Sequence, residues 1–130
     1  MFVDTSVIVA ILSGEEDSLE WSGRLERSSS KVTSALVVLE AAMRLSTKLA
    51  VDPVVVGEAI DRFLSEADID IVPLDRRHAE LAIRAFADYG KGRAHPAQLN
   101  LADCLSYACA KERAVPLLYK GADFARTDLA

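Results

Sequence analysis

The chain carries only two cysteines and two histidines, no long apolar run and no glycine-rich phosphate loop, and each shortage removes a class of protein. No uninterrupted apolar stretch approaches the roughly 20 residues that span a bilayer. Asp4 interrupts the apolar start before a leader-like segment can form, so no signal peptide is read and a cytoplasmic protein is expected. Cys104 and Cys109, if they share a helix, stand about 140° apart around its axis, a geometry that does not favour a disulfide. No histidine or further cysteine accompanies them at zinc-ligand spacing, and both read as small core or boundary residues. His78 and His95 fit no HExxH-like pattern. The absence of a GxxxxGK(S/T) loop argues against a nucleoside triphosphatase of that type. The absence of GxGxxG after the first apolar segment argues against dinucleotide binding.

What is present fits one domain over residues 1–130. The chain is 51% hydrophobic, has no Pro/Gly/Ser-rich linker and shows no internal repeat. Its net charge of −5 is unevenly spread. Residues 1–75 hold 14 acidic and 6 basic side chains, whereas residues 76–130 hold 6 acidic and 9 basic ones. Ordinary solvated surface accounts for such a split, and so does a carboxylate site ringed by basic groups.

Local patterns alternate between short strands and helices. Phe2-Val3 reads as a strand ending at Asp4-Thr5-Ser6, whose oxygens suit a helix N-terminus. Val7 to Leu12 continue that helix and Gly14 closes it. Glu15 to Arg27 read as a second helix with Leu19, Trp21 and Leu25 buried. Lys31 to Ser34 form a strand and Ala35 to Leu49 a helix. Pro53 opens another helix to about Ala67, with Val56, Ile60, Phe63 and Leu64 at helical spacing. Ile69 to Leu74 alternates like a strand. Asp75 caps a helix to Tyr89, with Ala79, Ala82, Ile83 and Phe86 on one face. Gly90 to Pro96 is a loop, Leu99 to Arg113 a helix, and Val115 to Tyr119 a last strand before a turn at Lys120 to Phe124. This order implies an α/β fold with a mainly parallel sheet covered on both faces. Ligands of such sheets bind outside the carboxyl ends of the strands.

Four carboxylates fall at telling places. Asp4 follows the first strand, Glu40 interrupts an apolar helix, Asp103 lies near the start of the helix after the Gly/Pro loop, and Asp123 follows the last strand. Each has a plain explanation: an N-cap for Asp4, pairing of Glu40 with Arg44, a first-turn dipole contact for Asp103, a turn for Asp123. Together they suggest a hard divalent cation, because clustered carboxylates repel and Mg²⁺ prefers oxygen ligands. The chemistry that follows is phosphodiester hydrolysis by a metal-activated water. Thr5 and Ser6 read as capping residues or as supports for Asp4 and a water.

Met1-Phe2-Val3-Asp4-Thr5-Ser6 resembles the opening of PIN-domain proteins, and Asn100-Leu101-Ala102-Asp103-Cys104 to Ala108 resembles their third acidic motif. Leu117 to Asp128 resembles the closing motif of the VapC toxins, and Glu40 stands where their second acidic residue does. The resemblance covers essentially the whole chain. It implies a three-layer α/β/α sandwich and an Mg²⁺- or Mn²⁺-dependent endoribonuclease, the toxin of a type II toxin–antitoxin pair. Asp4, Glu40, Asp103 and Asp123 become its acidic quartet and metal ligands, supported by Thr5, Ser6 and Asn100. Asp128 is close enough in sequence to replace or assist Asp123. Ala122 departs from the polar residue often found there. The resemblance further implies a homodimer and a VapB-like antitoxin, one of whose arginines would reach the carboxylates. Lys91, Arg93, Lys120 and Arg126, with Arg44 and Lys48, are the candidates for RNA contact, the Gly90–Pro96 loop first among them. The alternative is a non-catalytic interaction module on the same fold. An aspartyl-phosphate enzyme is disfavoured because Ser6 stands where DxDx(T/V) has its second Asp. A receiver domain is disfavoured because no adjacent acidic pair precedes the first helix.

Overall fold

Apolar pairs too short to bury themselves are joined here into one sheet. The computed structural model describes residues 1–130. Its order is β1 (Phe2–Val3), α1 (Thr5–Leu12), α2 (Ser18–Glu26), β2 (Lys31–Ser34), α3 (Ala35–Leu49), α4 (Pro53–Glu66), β3 (Ile69–Val72), α5 (Arg76–Tyr89), α6 (Leu101–Arg113) and β4 (Leu117–Leu118). The strands lie in the order β3-β2-β1-β4 and all pairs are parallel. Phe2 pairs with Val32 on one side and Leu117 on the other, which puts β1 inside the sheet. Both of its residues are fully buried, as a strand covered on two faces requires. Helix α6 packs on β1, β2 and β4 and carries α5, while α1, α3 and α4 pack on one another. The expected α/β/α layering is the observed one.

Strand order reverses at β1. The chain moves from β1 out through β2 to β3, then crosses back to place β4 on the other side of β1. The loops leaving β1 and β4 therefore diverge, and the crevice between them is the natural ligand position.

Several boundaries differ from the sequence reading. Helix α2 begins at Ser18 rather than Glu15, because Glu15 and Asp17 are engaged in ion pairs. Its Trp21 and Leu25 are buried, but Leu19 is 85% exposed. A helix this short buries one narrow stripe, and Leu19 lies off it. We therefore expect Leu19→Gln to change stability by no more than about 0.5 kcal/mol. Leu25→Ala should cost about 3 kcal/mol, and denaturant titration of the two variants compares them.

The buried face of α5 also differs from the one expected. His78 and Ala85 are buried, whereas Ile83 and Phe86 are 69% and 46% exposed. His78 Nδ1 accepts the Asp75 N–H at 3.1 Å in a capping box, which turns the first turn inward. Small residues then face α6, itself rich in buried Ala, Cys and Ser. Strands β3 and β4 stop short of the ranges expected, at Val72 and Leu118. Phe63 is only partly buried beside Val56, Ile60 and Leu64. Cys104 and Cys109 are free and buried, and burial pushes both thiols up to about 11, so neither is a reactive thiolate.

Candidate active site

Asp4 stands where β1 becomes α1. Its backbone N–H donates to Leu118 O at 3.0 Å, so its position is set by β4 as well as β1. Its carboxylate caps α1: Oδ2 accepts from Ser6 N at 3.1 Å and from Ser6 Oγ at 2.7 Å. Ser6 Oγ in turn accepts the Lys120 backbone N–H at 2.9 Å. The crevice between β1 and β4 is thus bridged by one serine hydroxyl. Asp4 is buried, and its Oδ1 has no hydrogen-bond partner in the protein. Thr5, the other supporting candidate beside it, is 1% exposed and its hydroxyl has no partner at all.

Asp103 stands in the first turn of α6. Asn100 caps that helix by accepting Asp103 N–H at 2.9 Å, and Asp103 Oδ2 accepts Asn100 N–H at 3.0 Å. Asp103 serves its helix and faces the other carboxylates at once. Burial raises its pKa to about 7. The Asn100 hydrogen bond works against that rise, and the charges of Asp123, Asp4 and Glu40 add to it. These are the four residues the sequence singled out, and the other three bear on Asp103 through space.

Glu40 lies on α3, one turn past the Ser34 cap, whose hydroxyl accepts Val37 N–H at 3.2 Å. It is half-buried beside Val37 and Ala41. The apolar enclosure expected from sequence is incomplete, since Met43 is 60% exposed. Arg44 forms no ion pair with it. Asp123 is exposed and also unpaired. It follows Gly121, which needs a left-handed φ of +104°, and precedes Phe124, which is buried and packs edge-on to Tyr119 at 5.2 Å. Phe124 anchors this loop, a role that its place in a turn-like stretch did not signal.

Asp128 is held elsewhere. Tyr107 Oη donates to it at 2.7 Å and Lys111 Nζ at 2.6 Å, and Lys111 helps to hold its carboxyl below the usual range against the opposing effect of burial. Its charge is spent on α6, and it is not among the groups that act on Asp103.

The basic candidates separate as clearly. Lys91, Arg93 and Arg126 are exposed and form no ion pair, although Arg93 lies 5.8 Å from the Phe86 ring. The loop that holds Lys91 and Arg93 is cinched by Lys91 N–H to Leu99 O and Leu99 N–H to Tyr89 O, both 2.9 Å. His95 belongs to that loop's structure, accepting Ala97 N–H at 3.1 Å. Lys48 and Lys120 are engaged by acidic partners.

The donor set suits a hard cation: four carboxylates, one of them buried and resisting ionisation, with no lysine or arginine paired to any. No three such side chains are gathered to hold an ion as they stand. Glu40 and Asp123 have no hydrogen bond to give up in turning toward Asp4 and Asp103.

The PIN domain family model matches residues 1–129. Ribonuclease VapC28 of Mycobacterium tuberculosis is 43% identical over 127 residues, covering 98% of this chain and 93% of that protein. Ribonuclease VapC42 of the same species is 40% identical over 129 residues, covering 99% and 96%. Among solved structures, Mycobacterium tuberculosis VapC20 superposes with a TM-score of 0.74 over 95% of this chain and 92% of that one, at 19% identity. A toxin–antitoxin complex from Klebsiella pneumoniae gives 0.69 over 98% and 92%, also at 19% identity. Likeness at that identity speaks for the fold, and the two mycobacterial ribonucleases speak for descent. The chain belongs to the PIN domain family and, within it, to the VapC ribonucleases.

Proposed function

We propose that this single-domain protein is an endoribonuclease that uses Mg²⁺ or Mn²⁺, and the toxic half of a type II toxin–antitoxin pair. The observation that carries the reading is that the charges of Asp123, Asp4 and Glu40 all bear on the buried Asp103 carboxylate, that no lysine or arginine pairs with any of the four, and that Asp4 and Asp123 follow the parallel strands β1 and β4. Asp4 and Asp103 are the principal metal ligands, with Glu40 and Asp123 completing the set. When bound, a divalent cation supplies Lewis acidity toward water and phosphate. The chain's own part is to hold these oxygens: Ser6 fixes Asp4, and Asn100 fixes Asp103. Of the candidate cations, Arg44, Lys91, Arg93 and Arg126 are exposed, form no ion pair and are free to meet an RNA backbone.

Two partners follow from the same reading. The VapC name and the toxin–antitoxin complex among the structural neighbours support a VapB-like antitoxin. Its arginine would meet the unpaired carboxylates in a bidentate pair that competes with metal and substrate. An apolar hollow of about 540 Å³ between α5 and α6, flanked by exposed Ile83, Phe86 and Leu101, supports a homodimer. No helix is long and apolar enough to cross a membrane.

Purified, antitoxin-free protein should cut a mixed transfer and ribosomal RNA pool into discrete fragments with Mg²⁺ or Mn²⁺. Chelator and Asp4→Asn should each stop it. No cleavage with either cation would return the chain to the non-catalytic module. Cleavage that survives Asp4→Asn would mean a contaminating nuclease or a different site.

A further inference from the structure

We infer that Lys120 is a positioning residue for the carboxylate site: its ammonium clamps the loop after β4 to the turn between α1 and α2, and so sets where Asp123 and the Ser6–Asp4 pair stand. The inference rests on the nuclease reading above.

Lys120 Nζ donates to Glu15 Oε1 at 2.7 Å and to Asp17 Oδ1 at 2.9 Å. Those acceptors lie 105 and 103 residues away in the chain. They are not loose ends. Asp17 Oδ2 accepts Trp21 Nε1–H at 2.8 Å, and Trp21 is a core residue. Glu15 Oε2 lies 3.4 Å from Lys48 Nζ, which also donates to Ser13 Oγ at 3.0 Å. Two carboxylates and two ammonium groups therefore balance one another, and the network ties α1, α2 and α3 to the last loop. The Lys120 side chains and their two acceptors are each only about one-third exposed or less, at 33%, 28% and 31%. Lys120 holds both carboxyls below their ordinary range and is itself held above its own.

The same residue touches the site through its backbone. Its N–H donates to Ser6 Oγ, whose own hydroxyl hydrogen goes to Asp4 Oδ2. On the other side, only Gly121 and Ala122 separate Lys120 from Asp123, and Gly121 sits in the left-handed region where glycine turns freely. Asp123 makes no hydrogen bond, so its position depends on its two flanks. One is Phe124, anchored in the core; the other is Lys120. An exposed ion pair adds little to stability, so the consequence of the clamp lies in placement. A misplacement of about 1 Å at a reacting centre costs about 100-fold in rate.

The test compares Lys120→Met, which keeps the backbone N–H, with Lys120→Arg and with Glu15→Gln/Asp17→Asn. Three readings are taken on each: kcat and KM on RNA, Mn²⁺ affinity by calorimetry, and amide exchange over residues 119–124 with α6 as the internal control. Lys120→Met should lower kcat by about 10- to 100-fold with KM little changed, weaken Mn²⁺ binding several-fold, and speed exchange of 119–124 but not of α6. The double carboxylate variant should do the same, and combining it with Lys120→Met should add nothing. Lys120→Arg should recover most of the loss. A raised KM with kcat and Mn²⁺ affinity intact would overturn the inference and make Lys120 a direct RNA contact. Unchanged kinetics, affinity and exchange would overturn it as well, leaving a plain surface ion pair. If the unaltered protein neither cleaves RNA nor binds Mn²⁺, the nuclease reading fails and the inferred catalytic positioning fails with it, whereas failure of the clamp alone leaves wild-type cleavage intact.

Discussion

Asp103→Asn is expected to make the metal-free protein more stable at pH 8 while abolishing RNA cleavage. Burial raises the Asp103 pKa to about 7 in the folded chain, against about 3.9 in an unfolded one. Above pH 7 the carboxylate is ionised in both states, and its charge opposes folding. Below about pH 4 it is protonated in both, and the opposition is gone. Stability contributed by this group is therefore lost as pH rises from about 4 through 7. One pKa unit is about 1.4 kcal/mol. Side-chain relaxation among four coupled carboxylates takes back part of the full shift, which leaves about 2–3 kcal/mol, or on the order of 10 °C in Tm. Asparagine has the same shape, can still accept the Asn100 N–H, and cannot ionise. The Tm gain of the variant should be present at pH 8 and absent at pH 4. With Asp103 the metal ligand proposed above, its loss would remove several kcal/mol of transition-state stabilisation, on the order of 1,000-fold in rate. A lower Tm than wild type at pH 8 would mean that the hydrogen bond to Asn100 outweighs the cost of the buried charge.

Divalent cation is expected to stabilise the wild-type protein in a manner that fades on acidification. An ion that binds only the folded chain adds about 2.7 kcal/mol at 100 times its Kd. In the site proposed above the ion would require the ionised form of Asp103. At pH 8 that form is already present; below about 7 a proton must leave first, and affinity falls by up to about tenfold per pH unit. Tm measured with and without Mn²⁺ should therefore differ most at pH 8 and least at pH 5, with proton release detectable by calorimetry in two buffers near pH 6. Asp103→Asn should lose both the stabilisation and its pH dependence. Stabilisation of equal size at pH 5 and pH 8 would place the ion away from Asp103.

Both effects turn on Asp103, whose buried charge opposes folding in the absence of a ligand. Asp4 and Asp103 resolve part of that conflict by a second use. Asp4 caps α1, and Asp103, at the third position of α6, accepts the N–H of its cap Asn100, so each carboxylate also satisfies a backbone N–H at a helix start. That double use gives these residues a plain explanation from sequence, and the charges that bear on Asp103 from the other three appear only in the folded chain.

Local chemistry determined much of this protein from the sequence alone. Caps at Asp4, Ser34, Asp75 and Asn100, Pro53 at a helix start, and β-branched runs set which segments are helix or strand, because those preferences act over a few residues. The order of elements then implied a parallel sheet, and its carboxyl ends implied where to look. Which face of each helix is buried was decided only in the assembled structure. Leu19 and Ile83 are as apolar as Leu25, yet they face outward, since a helix buries only the stripe its neighbour can approach. Charge partners were decided there too. Asp128 looks like Asp123 in sequence, but Tyr107 and Lys111 claim it. Lys120 looks like a cation for RNA, but Glu15 and Asp17, more than 100 residues away, claim it first. Coulomb attraction and hydrogen bonding act through space over a few ångströms, and only the folded chain sets those distances.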